Sequence, residues 1–486
     1  MSLVNEMLDT LPSEIWKDKT RTWLDPANGM GNFPIGVFLR LFYGFRTKAG
    51  KYIGITNEGA GEAGVEYNPG LTKVIANHDA RRNHIVQNML FMVELNSKNN
   101  VVAKNLFKKL APDVTPNIIQ MDRTNGFLED VEMKFPNGTV NTFDIVMGNP
   151  PFQGGAVRGK STDKTRKMRI EENVGQDKHK NLWIPFVKKV LAKHMKKNGY
   201  LLFIHPIGWF KPDRTGIHEA MLQYQIKDMR IYDMYQSMKV FSGKGKISVA
   251  YYLLENKPVY TTTTILDRVG KKEVVQLNSK SIIILAINSI FSKIQKKASL
   301  FYEGDQLRVA SIPSKECSTG SNKQIHRISE TGEITYCKTS VKHKDQNVSK
   351  LYLSGYQNPR FYYDKEGIYG LIGSHQHYFI GSDLDKLEDY FKTKLSAMLL
   401  KHAKYDQEFI EPKYYPDVRS MPLKKITDET LADYFGFTKD ERAAIDATEY
   451  PERKYTLKEI SCAELKKENP QEGGKRFQKT RKNKNK

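Results

Sequence analysis

The stretch Phe143-Asp144-Ile145-Val146-Met147-Gly148-Asn149-Pro150-Pro151-Phe152 constrains the fold more than any other part of the chain. An apolar run ends in small residues and then meets two consecutive prolines. Proline has no amide hydrogen and a fixed φ, so neither a central strand nor a helix interior can continue through it. The stretch therefore reads as a buried strand that stops abruptly. Asn149 then sits at the carboxyl end of a strand, where open α/β sheets place their ligands, and the prolines hold its amide and the following carbonyl rigidly. Two acceptors followed by an aromatic plate suit a planar amino group. The same residues also read as an ordinary strand-to-loop turn, because Asn-Pro is a common turn dipeptide.

A second stretch, Thr22-Trp23-Leu24-Asp25-Pro26-Ala27-Asn28-Gly29-Met30-Gly31-Asn32-Phe33-Pro34, has the pattern of a short strand, a tight glycine loop and a helix start. Such a loop lets backbone N–H groups and a helix N-terminus face an electron-rich ligand. It is not a GxGxxG dinucleotide fingerprint, since Pro34 replaces the third glycine and an acid, Asp25, precedes the loop. Phe91 to Asn96 and Asn117 to Asp122 repeat the form of a short strand closed by an acid, so three successive strands end in Asp25, Glu94 and Asp122. A lone acid at such a junction is more often a helix cap. Three on one ligand edge can instead take a ribose diol, an adenine amine and the amino group of an amino acid.

Between these markers the chain alternates strand and helix. A helix is expected near Leu3 to Leu11, an inserted loop over Lys48 to Asn77, and a helix over Leu182 to Met195. Gly199 to Pro206 reads as a strand, and Val240 to Leu254 as a hairpin at a sheet edge. Gln153 to Lys180 is polar, basic and long for a connection. The expected division is 1–258 for a catalytic domain, 259–300 for a connecting segment with a helix at Ser281 to Ile294, 301–455 for a second α+β domain, and 456–486 for a basic disordered tail. In the second domain Tyr352, Tyr356, Tyr362, Tyr363, Tyr369 and Tyr378 alternate with Arg360, Lys365, His375 and His377. That mixture suits nucleic-acid contacts, although core packing accounts for most tyrosines of a β domain. The two histidines have no third ligand at metal-binding spacing, so no metal is expected.

Composition narrows the partners. The 486 residues carry 77 Lys and Arg against 55 Asp and Glu, a net charge of +22, which attracts polyanions by steering and counterion release. Nucleic acid is the leading partner. Cys317, Cys337 and Cys462 are far apart without a CxxC pair, which supports neither a disulfide framework nor a zinc knuckle and fits a reducing compartment. No apolar run has membrane-span length and no signal peptide is evident, so a soluble protein of the cytoplasm, nucleoid or a viral factory is expected.

In this order, Asp-Pro-Ala-Asn-Gly-Met-Gly-Asn-Phe, two strand-closing acids and Asn-Pro-Pro-Phe closely resemble the gamma-class DNA adenine-N6 methyltransferases of restriction–modification systems, from about Ser2 to Glu449. The resemblance implies a Rossmann-like α/β methyltransferase fold with a C-terminal target-recognition domain. It implies S-adenosyl-L-methionine as cofactor, double-stranded DNA as substrate and a separate restriction endonuclease as a partner. Asp25, Asn28, Gly29 and Gly31 would form the cofactor loop, Glu94 would accept from the ribose, and Asp122 would meet the cofactor adenine. Asn149 and Pro150 would accept from the target amino group, with Pro151 fixing the turn and Phe152 and Phe241 stacking on a flipped-out base. Two departures stand out: Asn28 and Met30 replace the usual cysteine and serine, and a Thr-Pro that usually precedes the first helix is not seen before Leu3. Asn-Pro-Pro-aromatic motifs also occur in methyltransferases of RNA bases and of protein glutamine, and a nucleic-acid-binding protein with a catalytically weak form of this fold would look similar.

Overall fold

The computed structural model describes residues 2–55, 62–121, 126–128, 132–152, 181–241, 243, 247–301, 307–308, 311–329, 331–354, 360–373, 376–406, 409–410, 415–450 and 455–468. Two compact units divide the chain, Met1–Ile283 and Ile284–Lys486.

The first unit is built on one twisted sheet. Its strands are β1 (Trp23–Asp25), β5 (Leu90–Glu94), β6 (Asn117–Gln120), β9 (Phe143–Gly148), β10 (Met195–Pro206), β11 (Tyr224–Tyr232), β12 (Val249–Pro258), β13 (Thr263–Leu266) and β14 (Lys272–Val275). Three intervening strands, β2 (Phe45–Lys48), β3 (Lys51–Ile55) and β4 (Val65–Asn68), make a separate small sheet, and β7 (Lys134–Phe135) and β8 (Gly138–Thr139) a short ribbon. The main sheet runs β14-β13-β11-β12-β10-β9-β1-β5-β6. Neighbours from β10 through β6 are parallel, whereas β12 is antiparallel to both β10 and β11. Numbered by appearance from β1 to β12, the seven strands of this core stand in the order 3-2-1-4-5-7-6 with the seventh reversed. This is a Rossmann-like α/β sheet, the fold class expected from the sequence.

The helices follow from the alternation. In chain order α1 (Ser2–Leu8), α2 (Asn32–Tyr43), α3 (His78–His84), α4 (Ser97–Leu110), α5 (Trp183–Lys189), α6 (Ile217–Leu222) and α7 (Met234–Val240) cover or flank the sheet. One apolar cluster joins α1, α2, α4 and a sheet face through Met7, Leu8, Val37, Phe38, Phe107, Ile145 and Tyr251, all buried. Successive residues of β12 serve opposite faces, as a pleated strand requires. Tyr251 reaches Glu6 of α1 and Tyr252 reaches His205 of β10. Glu6 Oε1 accepts from Tyr251 Oη at 3.1 Å and from Tyr232 Oη at 3.0 Å, fastening α1 to the interior strands β12 and β11. Burial and the Glu6 charge hold both phenols protonated far above the usual tyrosine range. On the other face His205 stacks on Trp183 at 4.3 Å, and burial pushes its imidazole down to about 3.

A buried guanidinium secures α2. Arg40 donates to Asp9 Oδ1 at 2.7 Å and to the Asn5 carbonyl at 3.1 Å, and lies over the rings of Phe45 and Tyr52. At the amino end of the sheet Asp144 binds Lys196 at 2.8 Å, Arg21 at 3.1 Å and the Thr22 amide at 2.9 Å, clamping the starts of β9, β10 and β1.

Several expectations change here. Lys48 to Asn77 is not a plain loop, because β2 pairs in register with both β3 and β4. Val240 ends a helix, and β12 runs between β10 and β11 instead of forming an edge hairpin; an uninterrupted apolar strand is the mark of burial on both faces. Strands β13 and β14 carry the sheet into residues expected to connect the domains. The helix expected from Ser281 begins only at Asn288, whose side chain bonds both the N–H and the C=O of Ile284.

The second unit opens with α8 (Asn288–Lys297). It then holds β15 (Leu307–Arg308), β16 (Asn322–Ile328), β17 (Glu333–Thr339), β18 (Lys350–Ser354), β19 (Phe361–Asp364), β20 (Gly370–Leu371) and β21 (Gln376–Phe379). After α9 (Leu384–Phe391) and α10 (Lys394–His402) come a two-stranded ribbon, two helices, β24 (Thr456–Glu459) at the edge beside β17, and a last helix, Cys462–Glu468; β22 (Lys404–Asp406) and β23 (Phe409–Ile410) form the ribbon. The sheet orders are β15-β21-β18-β19 and β20-β16-β17-β24. Tyr352, Tyr369 and Tyr378 are core residues here, while Tyr362 and Tyr363 are half-buried and Tyr356 and His375 lie outside the described residues. The cysteine reading is overturned: Cys317 and Cys462 form a disulfide with a Cα–Cα distance of 5.5 Å, beside buried Cys337. Linear spacing cannot show this, because the pairing of β24 with β17 is what brings Cys462 close. Cysteine usage therefore gives no argument for a reducing compartment.

Candidate functional site

Asp25, Glu94 and Asn149 stand at the carboxyl ends of β1, β5 and β9, three neighbouring parallel strands. Register alone puts them on one edge. Asp25 is 2% exposed, and its Oδ1 accepts from the Ala27 amide at 3.1 Å. Burial pushes the carboxyl up to about 8, a rise the Ala27 N–H opposes and the charge of Glu94 reinforces. Glu94 is buried with Oε1 accepting from the Asn96 amide at 2.6 Å, and Asn96 in turn caps α4.

The loop after β1 is tied to β5 by the Asn28 amide, which donates to the Val93 carbonyl at 3.0 Å. Gly31 donates back to the Asn28 carbonyl at 2.8 Å and enters α2 with φ of +95°, a conformation that favours glycine. No side chain caps α2, so its first-turn amides remain available to a ligand. Asn28 is buried, yet neither its Nδ2 nor its Oδ1 has a partner among the described residues. A buried amide without partners costs free energy, and a ligand with both a donor and an acceptor would satisfy it.

Gly148 was not singled out from the sequence, and it links the two motifs. Its φ is +147°, and a Cβ there would lie 2.7 Å from Asp25 Oδ1. Asp25 thus rests against the backbone that leads directly into Asn149. A glycine closing an otherwise apolar strand was the available signal, since such a glycine marks close approach. Asn149 is exposed, Pro150 buried, and Pro151 and Phe152 half-buried. Phe152 meets Phe241, which follows α7, with ring centroids 5.9 Å apart at 89°. These two aromatics are brought together from 89 positions apart in the chain. Gly29 also lies in the loop, its α-carbon facing open space. Asp122, the Gln153 to Lys180 segment and the tail from Gly473 lie outside the described residues.

Residues 74–241 match the family model of the Eco57I restriction-modification methylase, a span that includes Glu94, Asn149 to Phe152 and Phe241 and begins after the glycine loop. No curated protein matches the chain. Among solved structures, a modification subunit of a putative type I restriction enzyme from Vibrio vulnificus YJ016 is similar at 15% identity and a TM-score of 0.34, covering 54% of this chain and 45% of that one. This chain therefore spans less than half the length of that subunit. A putative class I S-adenosylmethionine-dependent methyltransferase from Listeria monocytogenes is similar at 15% identity and a TM-score of 0.30, covering 61% and 68%. The type IIL restriction-modification enzyme MmeI, solved in complex with DNA, is similar at 10% identity and a TM-score of 0.44, covering 86% and 63%.

Proposed function

We propose that the chain is a site-specific DNA methyltransferase that moves a methyl group from S-adenosyl-L-methionine to adenine N6 of a flipped-out base. The observation that carries this reading is the single sheet edge that gathers Asp25, Glu94 and Asn149, with the acid of the glycine loop packed against the backbone of the Asn-Pro-Pro-Phe strand. The match of residues 74–241 to a restriction-modification methylase family supports it. The partnerless Asn28 amide, the uncapped α2 terminus and two buried acids fit a ligand that brings hydrogen-bonding groups and positive charge.

When bound, the cofactor supplies a methyl group activated on a sulfonium. Asp25, Asn28, Gly29 and Gly31 hold it, Glu94 accepts from its ribose hydroxyls, and Asp122 meets its adenine. The Asn149 side-chain oxygen and the Pro150 carbonyl accept the two hydrogens of the target amino group. This favours the pyramidal nitrogen that can attack, and such acceptors act by preorganisation without needing a strong base. Rigid prolines keep them aligned. Phe152 and Phe241 stack on the extruded base, offsetting part of the few kcal/mol that flipping costs. Because the two rings are in edge-to-face contact, the base enters as one of them turns aside. The second unit, with residues 301–455, reads the DNA site, and the basic tail adds contacts to phosphates without sequence preference. A separate endonuclease of the same system is the implied partner.

A long-read modification profile of DNA from expressing cells tests this. N6-methyladenine in one sequence context is the expected result, and unmodified DNA from a preparation that binds the cofactor would sink the proposal.

A further inference from the structure

We infer that Asp25 is protonated in the free protein and that a cationic cofactor displaces this proton on binding, so that filling the loop releases a proton to solvent. The inference rests on the methyltransferase reading above and adds to it a linkage between occupancy and pH. Asp25 and Glu94 close adjacent parallel strands and are 2% and 7% exposed. Among the described residues each has one backbone donor, the Ala27 amide at 3.1 Å and the Asn96 amide at 2.6 Å.

The surroundings of Asp25 contain no compensating cation among the described residues. Its own loop offers the Ala27 amide and the neutral Asn28 side chain; β5 offers Glu94; β9 offers Gly148 and then Asn149. Asp122, after β6, and the basic segment 153–180 that follows Phe152 lie outside the described residues. Arg21, just before β1, and Lys196 of β10 are engaged by Asp144 at the opposite end of the strands. Two buried carboxylates on adjacent strand ends, with no counter-ion among the described residues, do not both ionise cheaply. The elevation of Asp25 to about 8 agrees with that geometry.

S-adenosylmethionine carries a sulfonium and an ammonium. A positive charge beside Asp25 stabilises its carboxylate, so the O–H bond breaks and the proton passes to buffer as the cation enters. S-adenosylhomocysteine has lost the sulfonium charge and supports the carboxylate less.

Calorimetric titration of the full chain with S-adenosylmethionine, at pH 7 in phosphate and in Tris, reads the proton count from the difference in heat. Release approaching one proton per site at pH 7 is expected, falling toward zero well above pH 8. Affinity should rise up to about tenfold per pH unit below that point, and S-adenosylhomocysteine should release less. Asp25→Asn should bind more weakly with no buffer dependence. If that variant does not fold, the wild-type buffer comparison still decides. Equal heats in both buffers with binding intact would overturn the inference and leave the methyltransferase reading standing, as would unchanged release in folded Asp25→Asn. Absence of any binding heat from folded protein would overturn both.

Discussion

At the scale of single residues, Gly148 makes the sharpest demand. Alanine there would put a methyl group 2.7 Å from Asp25 Oδ1, in a backbone conformation that L side chains rarely adopt. Gly148→Ala should therefore weaken S-adenosylmethionine binding by about tenfold or more, roughly 1.4 kcal/mol, measured by calorimetry. Unaltered affinity would show that the Asp25–Gly148 contact is idle. Asn149→Ala has a different signature: the side chain is exposed and supports no packing. Its loss should lower kcat on the order of 100-fold with cofactor binding intact, in single-turnover methylation assays. Near-normal turnover would remove Asn149 from the proposed chemistry. That Asp25, Glu94 and Asn149 close neighbouring strands was legible because acid-closed strands and a double proline are local signals. The Gly148–Asp25 contact and the Glu6–Tyr232–Tyr251 group were not, since both arise from tertiary packing between distant parts of the chain.

Elements were legible wherever the hydrophobic period was strong. β1, β5, β9 and the apolar half of β10 appear where expected, as do the helices that follow β1 and β9, because each apolar run ends at a break in the pattern. Strand order was a different matter. The unbroken apolar run of Val249 to Leu254 signals burial on both faces, yet nothing local says that the strand lies between β10 and β11. The small sheet of β2 to β4 was hidden by its polar, glycine-containing composition. Arg40 holds α2 to α1 and to this sheet through Asp9, whose other oxygen accepts from the Tyr52 amide at 2.9 Å. Arg40→Ala should cost about 3 to 5 kcal/mol of stability, because it strands a buried carboxylate; a denaturant midpoint unchanged from wild type would contradict this. His205 adds a pH term. Buried and neutral, with Nδ1 donating to the Pro206 carbonyl at 3.0 Å and Nε2 accepting from Tyr252 Oη at 2.9 Å, it titrates only near 3 in the fold. Unfolded, it takes up a proton near 6.5, so its stabilisation is present above that value and is lost as pH falls. Lowering the pH from 6.5 to 5 should cost about 2 kcal/mol, and a His205→Gln variant should lack that slope in parallel denaturant titrations.

For the whole molecule, charge and length already implied separate units and a polyanionic partner. Where the first unit ends was not legible, because β13 and β14 lie in a stretch with no composition shift to mark them as sheet. The disulfide was equally hidden, its partners being 145 positions apart. Removing Gly473 to Lys486 should weaken binding to every DNA alike and flatten the dependence on salt. Fluorescence anisotropy across salt concentrations measures both, and a changed methylated sequence in the truncated protein would refute the non-specific role. The fastening of Glu6 to Tyr232 and Tyr251 has a consequence for how the molecule is made. These bonds span 226 and 245 positions, and the apolar face of α1 belongs to the same cluster as β12. During synthesis α1 must wait for β12 to emerge, so a nascent chain halted before Val249 carries an uncovered apolar surface and a sheet lacking an interior strand. Such long-range closure is slow and exposes intermediates to aggregation. Chaperone dependence in translation should therefore end only once β12 has cleared the ribosome.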